Sequence, residues 1–180
     1  VERMVRAIRD AERELARELG AQSLTAFLRH ARPIHFLLIP VIYSLIVPLA
    51  LLDAWMTLYQ WICFPAYGIQ RLRRGDYFVM DRGRLSYLNA IEKVHCTYCS
   101  YATGLVTYAR DIAAQTEQYW CPIKHARAIA SPHAHYHAFV DYGDAAGYHR
   151  ELPALRQALR DGRHPLRDAE PAPHERRRAV

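Results

Sequence analysis

Four side chains of this sequence carry the spacing of a metal site. Cys96 and Cys99 are separated by two residues, and Cys121 and His125 by three. The first spacing lets two sulfurs reach one ion from a single turn, and the second puts a sulfur and an imidazole one helical turn apart on one face. Together they form a Cys3His set. Thiolate and imidazole ligands in a closed tetrahedron suit zinc, with thiolate-bound iron as the alternative. The fourth cysteine and the spacings of common ferredoxins are missing, and Ser100 follows the first pair where a c-type haem would need histidine. Pro122 favours a helix start beside Cys121, and a helix N-terminus stabilises a thiolate. The competing reading is a group of buried thiols with a surface histidine. A thiol pair cycling to a disulfide is disfavoured, because the segment does not follow a strand in a thioredoxin-like unit.

Other reactive groups are weaker. Cys63 stands alone in an apolar stretch and reads as a small buried residue. His133, His135 and His137 lie close together, and the first and third would share a helical face with Asp141 or Asp144 near enough to hold a second metal. An exposed face with ordinary histidines is the preferred reading. Glu92, Glu117 and Lys124 neighbour the cysteines and could orient ligands, although each reads first as a surface charge. A phosphate loop, a nucleophile elbow, a His-Glu-x-x-His helix and paired carboxylates are all missing, so a non-enzymatic role is favoured.

These residues must be positioned by helices. From Ile34 to Leu52 no residue carries a fixed charge, and the run is about 28 Å long as a helix, close to the hydrocarbon thickness of a bilayer. A second run, Ala54 to Gln70, holds Trp55, Tyr59, Trp61, Phe64 and Tyr67, the residue types that settle at headgroups. One straight helix through both would reach about 55 Å, so the chain is expected to turn near Pro48 to Asp53 or to lie down after it. Arg29 and Arg32 precede the stretch, and Arg71, Arg73 and Arg74 follow it. Arginine on both flanks favours a hairpin with both ends in the cytoplasm over a single span.

Elsewhere the chain reads as helical and soluble. Residues 2–19 form an amphipathic helix, and a second begins at Ser23. Asp81 is expected to cap a helix over about 84–95, with others over about 99–114, after Pro122 and after Pro132, and a last one capped by Asp144 that Gly147 and Pro153 would break. From Gly162 the composition is that of a basic, disordered tail. The expected fold is all-α: amphipathic helices over 1–33, a membrane-embedded hairpin over 34–70, a metal-stapled helical domain over 71–161 and a tail over 162–180.

With 24 Lys and Arg against 18 Asp and Glu the net charge is +6, mostly from arginine. Such a surface favours anionic lipid or nucleic acid, and the flanked apolar run places lipid first, with no nucleic acid expected. Four cysteines in irregular spacing do not make a secreted disulfide scaffold. The first thirty residues, dense in Arg and Glu, do not read as a secretory signal. The expected location is the inner membrane of a cell, with the soluble domain in the cytoplasm and a protein partner at its tyrosine-rich surface.

The stretch DYFVMDRGRLSYLNAIEKVHCTYCSYATGLVTYARDIAAQTEQYWCPIKHA, with the apolar segment before it, resembles an uncharacterised family of small bacterial membrane-associated proteins over about residues 34–145. The resemblance implies one structural unit and brings no activity or cofactor. The expected function is a membrane-anchored protein with structural zinc that serves as an interaction or scaffold module, the alternative being a redox or metal-handling protein with iron.

Overall fold

A computed structural model describes residues 4–8, 10, 11, 14, 32–85 and 87–163. The fold is all-α, and among the described residues there is no strand, only an isolated parallel bridge between Ile123 and Val140. Residues 4–8, 10, 11 and 14 are helical, in keeping with the amphipathic helix expected there. The helix expected from Ser23 falls outside the described residues, as does nearly all of the tail.

Helix α1, Pro33–Ser44, begins with proline at its first position, where a missing N–H costs nothing. Helix α2, Ile46–Tyr67, follows after the single residue Leu45, which keeps right-handed helical angles (φ −61, ψ −18). The interruption has a local cause. Pro48 cannot donate to Ser44, four residues earlier, and its ring crowds that carbonyl. Pro48 itself then falls within the first turn of α2. The turn expected at Pro48 to Asp53 is therefore absent, because those residues are helical throughout.

Helix α3, Ala90–Trp120, runs for 31 residues. The helices expected over 84–95 and 99–114 are this one element. Its start is set by a reciprocal capping box: Asn89 Oδ1 accepts from the Glu92 N–H (3.0 Å), and Glu92 Oε2 accepts from the Asn89 N–H (2.9 Å). Asp81 precedes only a short 3-10 turn, Arg82–Arg84, and its side chain caps nothing there. Gly104, the one glycine of α3, marks a close approach. A Cβ there would lie 2.6 Å from the Tyr77 carbonyl oxygen.

No helix follows Pro122. Its carbonyl accepts from the Val140 N–H (2.9 Å), and the Lys124 N–H donates to the Val140 carbonyl (2.7 Å), so this backbone is drawn into an extended pairing instead. The helix expected after Pro132 is reduced to a 3-10 turn, Ala134–Ala138. Helix α4, Ala145–Arg160, is capped as expected by Asp144, whose Oδ1 accepts from the Gly147 N–H (2.8 Å). Gly147 and Pro153 do not break it.

The chain forms two units. The first comprises 1–52 and 74–107, the second 53–73 and 108–180. In the first unit Leu49 and Leu105 are buried, Tyr98 Oη donates to the Ile42 carbonyl (2.7 Å), and the Tyr43 ring packs on Tyr98 and His95. In the second, Phe64, Ile69, Leu72, Tyr108, Ile112, Phe139, Val140 and Leu159 form a buried core. Gln60 lies inside it with its amide satisfied. Its Oε1 accepts from the Leu72 N–H (2.9 Å), and its Nε2 donates to Tyr108 Oη (3.0 Å).

Candidate functional site

Cys96 and Cys99 lie on α3 in the first unit, one turn apart, and Cys121 and His125 follow the end of α3 in the second. The 21 residues between Cys99 and Cys121 are all helical, so the chain does not turn back between the pairs. Among the described residues, no three of His, Cys, Asp or Glu come together in a group that could hold a metal ion. All four cysteines are free thiols, with Cys99 and Cys121 exposed and Cys63 and Cys96 half-buried. The His125 N–H donates to Tyr136 Oη (2.7 Å), and its ring stacks on that tyrosine with centroids 6.0 Å apart.

The polar side chains that do converge lie on the C-terminal half of α3 and the segment 131–140. His133 Nδ1 accepts from the Tyr136 N–H (3.1 Å), so the proton of the neutral ring sits on Nε2. That nitrogen donates to Glu117 Oε2 (2.9 Å). One turn of backbone thus fixes the tautomer that holds the carboxylate. His135 is buried, and its Nδ1 donates to Gln118 Oε1 (2.5 Å), while Gln118 Nε2 donates to the Leu155 carbonyl (2.8 Å). His135 and Gln118 therefore connect the segment 131–140, α3 and α4.

This geometry reassigns the histidine run. His133 and His137 do not share a helical face, because the segment is a 3-10 turn; His133 caps it and His137 is exposed. Asp141 pairs with Lys124 Nζ (2.8 Å), and Asp144 is taken by the α4 cap. Of the three candidate orienting residues, Glu92 serves in the α3 capping box, Lys124 pairs with Asp141, and Glu117 binds His133. Neither the Glu117–His133 contact nor the one between His135 and Gln118 was identified from sequence. Each partner pair is 16 or 17 residues apart, and the pairing depends on a turn that periodicity does not reveal.

The end of α3 is fastened by cation and aromatic contacts. Arg156 Nε donates to the Tyr119 carbonyl (2.9 Å), and its guanidinium lies 4.7 Å from the Tyr119 ring centroid. A cation at a helix C-terminus complements the partial negative charge of its last carbonyls. Tyr67 packs on both Tyr119 and Trp120, with centroids 4.9 and 5.4 Å away.

The other outstanding feature is an apolar surface. Phe36–Tyr67 is one stretch of 32 residues long and apolar enough to cross a membrane, and only 6% of its most apolar window is buried. Along α1 the large side chains Leu37, Ile39, Val41 and Ile42 are exposed, while Tyr43 packs on Tyr98 and His95. Along α2 the exposure narrows to a stripe of Leu51, Trp55, Leu58 and Ile62, at helical spacing, while Leu49, Gln60 and Phe64 are buried. At the end of this stretch the Arg71 guanidinium lies 5.1 Å from the Trp61 ring centroid. No family model, curated protein or solved structure matches this chain.

Proposed function

We propose that this is a membrane-anchored, non-enzymatic helical protein that holds an interaction module at the cytoplasmic face of an inner membrane. The observation that carries the reading is the stretch Phe36–Tyr67, whose apolar window is 6% buried. The core helix of a water-soluble protein turns such side chains inward. Here they face the surroundings, and exposed apolar patches of this extent mark contact with lipid or a partner. At about 48 Å the stretch is longer than a hydrocarbon core of about 30 Å. The exposed apolar part of α1 suits the interior, and the one-sided stripe of α2, with Trp55 and Trp61, suits the interface.

The test is extraction. Wild-type protein should stay in the membrane pellet through alkaline carbonate and high-salt washes and leave it only with detergent. Complete release by carbonate would overturn the anchor. Tags on each terminus report the sidedness, with cytoplasmic signals from both expected for a re-entrant stretch and opposite signals for a single span.

Zinc, with iron as the alternative, held by Cys96, Cys99, Cys121 and His125 is a separate proposal that rests on the sequence pattern. Assembling that set requires α3 to open between Cys99 and Cys121. One equivalent of metal in purified wild type, lost in Cys121→Ser, is the elemental-analysis result it demands.

A further inference from the structure

Within the second unit, α2 and α3 flank a groove of about 500 Å³ lined by Trp55, Met56, Tyr59, Ile112, Thr116, Glu117, Trp120 and Cys121, among others. Its chemistry is specific. Glu117 is the one charged side chain among the described residues lining it, and three aromatic rings share the lining. A carboxylate beside aromatic faces selects a cation with an apolar envelope, since ring faces attract alkylammonium groups and the carboxylate supplies the counter-charge. In a chain of net charge +6, this local negative site in an apolar wall runs against the general field. Glu117 is also held ready. His133 Nε2 donates to its Oε2, which fixes the orientation of the carboxylate.

The groove continues onto the lipid-compatible surface. Trp55 lines it and also belongs to the exposed stripe of α2, where it is 70% exposed. A ligand can therefore lie with its apolar part on the stripe and its head in the groove. We infer that this groove binds the alkylammonium headgroup of an amine-bearing membrane lipid, with the ammonium at Glu117 and between the rings of Trp55, Tyr59 and Trp120. The lipid source rests on the membrane reading above; the ammonium preference rests on the groove alone.

Cys121 reports on occupancy, because it is an exposed free thiol in the lining, and Cys99 is an exposed free thiol outside it. The full chain in a non-ionic maltoside detergent is treated with a maleimide, and modification of each thiol is followed by peptide mass spectrometry. Lysophosphatidylethanolamine should slow Cys121 alkylation several-fold and leave Cys99 unchanged. Lysophosphatidylglycerol, which has the phosphate and the chain without the amine, should leave both unchanged. Glu117→Gln and Trp55→Ala should each lose the protection. Trp55 is largely exposed, so its variant keeps the test valid even where Glu117→Gln disturbs the fold.

Equal protection by the two lipids, or protection retained in both variants, would overturn the ammonium assignment. So would no protection by the amine lipid. Free ethanolamine protecting as well as the lipid would overturn the lipid source. Because the measurement is made in detergent, it is independent of the extraction test: a protein that resists carbonate but shows no protection keeps its anchor and loses this site.

Discussion

The two units of this chain bury different kinds of side chain. The second encloses Phe64, Ile69, Leu72, Tyr108, Ile112, Phe139, Val140 and Leu159, and sets Gln60, Gln118 and His135 among them with hydrogen bonds. The first, among its described residues, buries few large side chains, Leu49 and Leu105 foremost, and leaves Ile34, Phe36, Leu37, Val41, Val47, Val79 and Met80 exposed. The second unit thus has a hydrogen-bonded apolar interior, although its part of the α2 stripe, Trp55, Leu58 and Ile62, stays exposed. The first exposes most of the large apolar side chains described in it.

Truncation in the second unit gives the largest expected effect. Phe64 is fully buried, and Phe64→Ala should destabilise by about 3–5 kcal/mol through lost transfer energy and a cavity. Thermal unfolding of the detergent-solubilised protein reads this. The equivalent truncation at Leu37, which is 72% exposed, should change little in the same measurement, and a comparable loss at both positions would dissolve the contrast.

The next test exploits the surroundings of the first unit. Leu37→Arg is an exposed substitution, worth within about 0.5 kcal/mol in water. At the centre of a bilayer the same arginine costs about 2.5–3.5 kcal/mol. Membrane insertion measured in vesicles should fall for both Leu37→Arg and Val41→Arg, and less at Leu37, which lies near the start of the stretch, where an arginine can reach the interface. Insertion equal to wild type would show that α1 faces water or a protein instead.

Among the glycines described in the first unit, Gly104 alone has backbone within 4 Å of where a Cβ would stand. Gly104→Ala would bring a methyl to 2.6 Å from the Tyr77 carbonyl, so helix and loop must separate, at a cost of about 1–3 kcal/mol. Alanine elsewhere in a helix interior improves on glycine, so the sign of the stability change is itself the measurement. A stabilised Gly104→Ala would mean that the Tyr77 loop yields freely.

A smaller effect is expected at His133. His133→Ala removes the 3-10 cap and the hydrogen bond to Glu117, about 1–2 kcal/mol together, and hydrogen exchange should rise in 131–140 more than in α3. The smallest concerns the thiols. With α3 intact, Cys99→Ser and Cys121→Ser are exposed changes that should act independently, each within about 0.5 kcal/mol. Shared loss of metal and stability in both would favour the Cys3His assembly and require α3 to break.

Much of the architecture was legible because it depends on local rules. The uncharged run Ile34 to Leu52 and the Asp144 cap both act within a few residues. Several elements read from such rules came out differently, each for a nameable reason. Asn89 and Glu92 form a reciprocal cap where Asp81 forms none, and no proline interrupts 90–120, so the gap expected between His95 and Cys99 closes. By local rules Pro122 and Pro132 favour helix starts. Their segments were claimed by Val140 and by the His133 turn, partners that no local rule specifies.

The sequence by itself determined that the chain is helical, that one stretch is apolar enough for a membrane, and where α4 begins, because composition, proline and capping act over single turns. Only the tertiary structure decided which apolar side chains turn outward and that Glu117 meets His133. It also decided that Cys96 and Cys99 stand on the same unbroken helix that ends at Trp120, just before Cys121. Those outcomes depend on contacts between segments far apart in the chain, and residue spacing carries no information about which of the possible contacts will form.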